Sequence, residues 1–118
     1  MKRKIIFWVL MLSTSGVATA KDSIPKQFLG AWGNSESCKA AKEVGAPPDG
    51  GAEITTARVD RYEYPCSLEK TKESNKTKFS GQFTCSSPDG DSSETISLSF
   101  VGKGKLSING EAAVPKCK

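Results

Sequence analysis

Apolar and polar positions alternate most clearly between Tyr62 and Cys85. Folding this stretch back about Asn75 and Lys76 sets Cys66 opposite Cys85 and Leu68 opposite Phe83. The same register puts Lys72 against Phe79, with Tyr64 continuing that face. The other face then carries Ser67 with Thr84, Thr71 with Ser80, and the opposite charges Glu73 and Lys78. Strand side chains alternate with period two, so a slip of one residue would turn the apolar set toward solvent. The pattern predicts a β-hairpin that brings two cysteines together.

The segment 94–101 alternates as well, with Ile96, Leu98 and Phe100 on one face and Thr95, Ser97 and Ser99 on the other. A turn at Gly102, Lys103 and Gly104 would place Phe100 opposite Leu106 and Leu98 opposite Ile108. Phe83 and Cys85 are expected to pair onward with Leu98 and Ile96, which would extend one apolar face across three strands. Upstream, residues 27–33 read as a strand with Phe28 and Trp32 on one face, and Gly30 marks close approach of another backbone. Residues 35–45 read as a short helix with serine N-cap candidates and Gly45 as its stop. Two prolines and two glycines make residues 46–51 a loop, after which residues 52–59 form a strand with Ile54 and Val59 inward.

Asp60 and Arg61 are read as a turn or bulge, and Pro65 calls for an edge or bulge because it cannot donate to a ladder. Residues 86–93 form a further turn, and residues 112–117 return toward the start of the domain. The expectation is an all-β fold with one short helix. A meander of about five or six antiparallel strands with one apolar face must hide that face, so it should curl into a small barrel.

The amino-terminal residues change the picture of charge. Lys2, Arg3 and Lys4 precede an apolar run from Ile5 to Leu12 and the small residues Ala18, Thr19 and Ala20. This is the pattern of a signal peptide, with an apolar run too short to span a bilayer. Cleavage after Ala20 is expected, leaving residues 21–118 as one disulfide-stabilised β-domain in the periplasm or secreted, without stable membrane insertion. The full chain has 17 basic and 13 acidic residues, so losing those three basic residues leaves 14 against 13. Charge therefore gives no reason to expect nucleic acid as a partner.

Four cysteines in an exported chain imply two disulfides, which can be connected in three ways. The hairpin register favours Cys66–Cys85, leaving Cys38–Cys117 to tie the start of the domain to its end. With no histidine in the chain, the Ser-His-Asp and Cys-His arrangements and the usual zinc sites are excluded. Bridged cysteines supply no thiolate, and no phosphate-cradling glycine motif is present.

Asp60, Glu63 and Glu69 lie near the hairpin, but Glu63 and Glu69 fall on its polar face and read as solvated acids. Asp89, Asp91 and Glu94 are closely spaced but lack the order of an EF-hand loop, so they read as part of a turn. Asn75-Lys76-Thr77 matches the N-glycosylation pattern, which a bacterial chain is expected to leave unmodified. No enzymatic activity, metal or cofactor is expected. The candidate binding residues are the aromatics Trp32, Tyr62 and Tyr64, whose polar atoms need partners or solvent, together with Asp49 in the 46–51 loop. Core packing is the more ordinary role for Trp32.

Phe28-x-Gly30-x-Trp32 early in an exported chain, followed by four cysteines and short strands, resembles small disulfide-bonded periplasmic proteins of Gram-negative bacteria. The Gly30-x-Trp32 pair is also similar to the start of lipocalin-like barrels and of the barrel inhibitors of bacterial metalloproteases. Periplasmic lysozyme inhibitors are similar in size and disulfide use. The rigid disulfide-bonded scaffold and the lack of catalytic residues lead to the expectation of a non-enzymatic binding or inhibitor-like module, with an envelope protein, an extracellular protein or a small ligand as its partner. No inhibitory loop matches, so the resemblances transfer no site residue. The alternative expectation is a structural or envelope-maintenance protein of low specificity.

Overall fold

Hydrophobic alternation is carried through eight antiparallel strands, arranged in sheet order as they occur in sequence. The computed structural model describes residues 22–118, so the expected signal segment and cleavage site lie outside the described residues. The strands are β1 (Gly30–Trp32), β2 (Ala52–Ile54), β3 (Arg58–Arg61), β4 (Tyr64–Ser74), β5 (Lys78–Ser87), β6 (Gly90–Phe100), β7 (Lys105–Ile108) and β8 (Val114–Pro115). One helix, α1 (Ser35–Val44), follows β1.

The sheet curls until its first and last strands meet. Trp32 bridges to Lys116. The Gly33 amide donates to the Pro115 carbonyl at 2.9 Å, and the Cys117 amide donates to the Ala31 carbonyl at 2.8 Å. The fold is thus an all-β meander that nearly closes into a barrel, with eight strands rather than the expected five or six.

The extra strands come from turns that lack the usual glycine or proline. Residues 52–59 do not form one strand. The chain reverses at Thr55, whose amide donates to the Arg58 carbonyl, so that Ile54 faces Val59. Asp60 and Arg61 lie within β3, and the reversal comes at Tyr62 and Glu63, with Glu63 at φ 56°. Pro65 pairs with Asp60 on β3. The β4–β5 ladder begins only at Cys66, so its missing N–H is not needed there. Between Ser87 and Gly90 the turn has only Pro88 and Asp89, much tighter than expected.

The predicted hairpin register holds over Cys66–Cys85, Ser67–Thr84 and Leu68–Phe83, then changes. Two irregularities in β4 leave Glu69 and Lys72 without cross-strand partners, so Ser74 rather than Lys72 faces Phe79. Thr71 faces Gly81 and Glu73 faces Ser80, in place of the Thr71–Ser80 and Glu73–Lys78 pairs. An inward lysine opposite Phe79 would bury an ammonium, and a bulge avoids that cost. Lys72 instead is exposed and donates to Thr95 Oγ1 at 3.1 Å. The onward pairing is shifted too. Phe83 faces Glu94 and Cys85 faces Ser92, whereas Leu98 faces Phe79. At the next strand, Leu98–Ile108 and Phe100–Leu106 pair as expected.

Inward side chains fill the barrel. Phe28, Phe79 and Phe83 are almost wholly buried, and each contributes roughly 1.5–3 kcal/mol from burial. Phe28 stacks on Phe100 with ring centroids 4.9 Å apart, and Phe79 lies 6.4 Å from Phe28. Small barrels of about eight strands have an interior just wide enough for side chains. Both bridges have the expected partners, Cys66–Cys85 and Cys38–Cys117. The first is sealed in the core, whereas the cysteines of the second are half-buried.

Helix α1 starts with Asn34, whose side-chain oxygen accepts from the Ser37 amide at 2.8 Å, so asparagine rather than serine caps it. Gly45 ends the helix as expected, in the left-handed conformation at φ 67°.

One charged contact fastens three parts of the helix-bearing end of the barrel. Arg61 pairs with Glu111 at 2.6 Å and donates through Nε to the Gly51 carbonyl at 3.2 Å. The hydrogen bond from Arg61 lowers the Glu111 pKa below the ordinary carboxylate value, partial desolvation opposes this, and the Arg61 charge adds to the lowering. A carboxylate with a depressed folded-state pKa stabilises above its unfolded pKa, and this contribution is lost as pH falls through the folded value. Because Glu111 is half exposed, Glu111→Gln should cost at most about 1 kcal/mol at neutral pH. Urea midpoints measured against pH should show the two chains converging below the ordinary carboxylate range. A constant gap down to the acid limit would show that the ion pair is not its source.

Candidate functional site

The four proposed binding residues share one end of the barrel but not one surface. Arg61 contacts Gly51, which brings the turn holding Tyr62 to the loop holding Asp49. Tyr62 and Asp49 are exposed there. Trp32 is sealed in the core at 3 % exposure, and its indole N–H donates to the Phe28 carbonyl at 2.9 Å. Its polar atom is therefore satisfied internally, and Trp32 lines no opening. Tyr64 is half-buried and its hydroxyl is engaged by Glu94 and by Ser92 Oγ, so it is not a free recognition group either. Glu69 is occupied as well, accepting from Thr84 Oγ1 at 3.0 Å. Asp89 sits in the tight β5–β6 turn while Asp91 accepts from Ser86 Oγ, which separates these acids rather than gathering them.

The concave surface lies elsewhere, around the Cys38–Cys117 bridge. Two cavities of about 500 and 370 Å³ share Cys38, Lys42, Cys117 and Lys118 as walls. One side is α1. Ser35, Cys38, Lys39 and Lys42 line the larger cavity, and their spacing places them on one helical face. The other side is the segment after β8, where Lys116 and Lys118 flank Cys117. Pro48, from the loop singled out in the sequence, lines the smaller cavity.

The disulfide is what brings the two lysine-bearing segments together, across a sequence separation of 79 residues. Two of the four lysines make contacts of their own. The Lys116 stem runs over Gly30, with Cε 2.6 Å from where a Cβ would lie, and the backbone there has φ 121°, which favours glycine. A side chain, rather than the expected backbone, thus makes the close approach at Gly30. The Lys116 ammonium lies 5.6 Å from the centre of the Trp32 ring. Lys42 Nζ donates to the Lys118 main-chain oxygen at 3.3 Å.

Four lysines and no aspartate or glutamate line the larger cavity, and Glu53 lines only the smaller one. All four cysteines are bridged, so neither wall offers a thiolate.

The sequence did carry a signal for this site, in Lys39 and Lys42 three apart and in Lys116 and Lys118 flanking a cysteine. A nearly neutral total charge concealed it. Among the described residues, no helix is long and apolar enough to cross a membrane. No protein-family model matches the sequence, no curated protein matches it, and no solved structure matches it.

Proposed function

We infer that the chain is an exported, non-enzymatic binding module that recognises its partner through the cleft beside Cys38–Cys117. The observation carrying this reading is the cleft itself, where four lysines meet on a scaffold closed by a bridge and strand pairing. Because side chains fill the barrel, recognition belongs on its outside. A rigid, cross-linked surface also suits binding, since little conformational freedom is lost on association. Two half-buried cysteines fit an oxidising compartment such as the periplasm or the extracellular space.

The test is capture from a cell-envelope extract with immobilised mature chain. A stoichiometric partner should be retained by the wild type and by Tyr62→Ala, and lost with Lys39→Glu/Lys118→Glu. Retention of the partner by the lysine variant would move recognition off the cleft. Capture of no stoichiometric partner would favour a structural envelope protein of low specificity. Turnover abolished by a single Asp or Glu substitution would make the protein an enzyme.

A further inference from the structure

We propose that the protein associates with a second copy of itself through the uncovered half of β6, the two strands pairing antiparallel about Ser93. This surface is separate from the cleft and does not depend on it.

β6 is far longer than the strand that covers it. Residues Gly90–Ser99 pair with β5 without a break in register. On the other side β7 reaches only Leu98, Ser99 and Phe100. Continued in a straight line, the chain after Ile108 would cover the rest of β6. It turns away instead at Asn109 and Gly110, with φ 53° and 76°. The Glu111 amide closes that turn by donating to the Ile108 carbonyl at 3.0 Å. Asn109 makes the last contact with β6. Its Oδ1 accepts from the Ser97 amide and its own amide donates to the Ser97 carbonyl, both at 2.8 Å.

Beyond that point the edge is open. Backbone groups along a strand point alternately to its two sides. Those of Ser97 point to the β7 side, so Thr95, Ser93 and Asp91 present their N–H and C=O groups there as well. Among the described residues none of these groups has a partner, and all three residues are exposed. Unpaired backbone on a regular strand is a template for another strand, which proteins commonly spoil with a lysine, a proline or a bulge. Residues 90–96 hold none of these. Glu94 faces inward, but its carboxylate is drawn across β5 by the Tyr64 hydroxyl on β4, away from the edge. The stretch of β4 that outruns β3 is treated differently. Two irregularities interrupt it, and the Asp22 carboxylate accepts from the Thr71 amide at 3.0 Å.

The sequence of the open edge suits its own copy. Residues with outward backbone groups form the hydrogen-bonded pairs, and a two-fold axis at Ser93 matches all three. Asp91 then faces the partner's Thr95, and Ser93 faces the partner's Ser93. Each such pair exchanges two hydrogen bonds, about six in all. Between them Ser92 meets the partner's Glu94, so no like charges are opposed. On the outer face Lys72 already donates to Thr95 Oγ1 at 3.1 Å. Facing Cβ atoms are only about 5 Å apart, which puts the Lys72 ammonium within reach of the partner's Asp91. Neither Lys72 nor Asp91 has an ion pair within its own chain among the described residues. Symmetry supplies the contact twice.

Sedimentation equilibrium of the mature chain tests this. The wild type should pass from monomer to dimer as its concentration rises. Asp91→Lys sets two lysines against each other and should raise the dimer Kd about tenfold or more. Asp91→Lys/Lys72→Asp restores opposite charges and should recover wild-type association. Ser93→Pro loses no bond to β5 and should leave a monomer with the wild-type circular dichroism spectrum. Lys39→Glu/Lys118→Glu, at the cleft, should dimerise like the wild type. A wild-type chain still monomeric at about 1 mM would overturn the proposal, as would a dimer that Asp91→Lys does not weaken. Should Ser93→Pro fail to fold, the charge exchange decides alone. Capture of a stoichiometric envelope protein by a monomeric wild type, lost with Ser93→Pro, would assign the edge to that protein and not to a second copy.

Discussion

Gly51→Ala is expected to lose more than about 3 kcal/mol of stability, beyond the usual range for overpacking a core. A Cβ at Gly51 would lie 1.8 Å from the Trp32 carbonyl oxygen, 2.8 Å from its carbonyl carbon and 3.0 Å from Gly33 Cα. All three are backbone atoms, so no side-chain rotation relieves the clash. Trp32 also has no room to retreat. It pairs with Ala52, bridges to Lys116 and buries its ring in the core. Relief therefore requires β1 to separate from the segment entering β2, beside the barrel's seam. Guanidinium unfolding of the variant provides the measure. A midpoint corresponding to less than about 1 kcal/mol of loss would show that the two backbones can part cheaply.

Removing the Cys38–Cys117 bridge as Cys38→Ala/Cys117→Ala is expected to have the other large effect. Loop-closure entropy alone gives about 4.5 kcal/mol for its sequence separation of 79, against about 3 kcal/mol for Cys66–Cys85 at 19. Domains of this kind are stable by only about 5–15 kcal/mol, so either loss takes a large share. The bridge also holds α1 against the closing strand, and its loss should open the cleft and abolish partner capture. Equilibrium unfolding of the two double-alanine variants ranks the bridges, and capture reports on the cleft. Peptide mapping under mild dithiothreitol should find Cys38–Cys117 reduced first, because its cysteines are half-buried while Cys66 and Cys85 are sealed. Equal stability losses, or earlier reduction of Cys66–Cys85, would contradict this ranking.

The parts of the fold readable from sequence are those where several demands coincide. Cys66–Cys85 and Leu68–Phe83 satisfy a covalent bond and a buried face in one register, and Phe100–Leu106 is fixed by a tight glycine turn. A perfect ladder would turn Lys72 toward Phe79, whereas the protein uses two irregularities to keep that ammonium in water. The turns at Thr55–Thr56–Ala57 and Tyr62–Glu63 lack glycine, proline and asparagine, so nothing local announces them and residues 52–59 read as one strand. Closure does most to define these turns, since each strand must return in time to meet its neighbour.

The site was harder to read for a different reason. Tyr62 and Asp49 are surface groups, but exposure does not make a concavity. The lysines near the cleft lie far apart in sequence, and a net charge averages them against distant acids. Only the partner of Cys38 brings them together. The disulfide pairing was available from the sequence, and drawing its consequence for Lys39, Lys42, Lys116 and Lys118 would have found the cleft.

The seam of the barrel has a further consequence, for what happens between molecules. β1 and β8 are only three and two residues long, and they meet each other instead of facing solvent. A sheet with an open edge offers unpaired N–H and C=O groups to any other strand. Here the Pro115 and Ala31 carbonyls are already occupied by Gly33 and Cys117. Reduction of Cys38–Cys117 would release the shorter of the two strands and present those carbonyls to a second chain. The bridge beside the cleft thereby also helps keep that edge of the sheet closed.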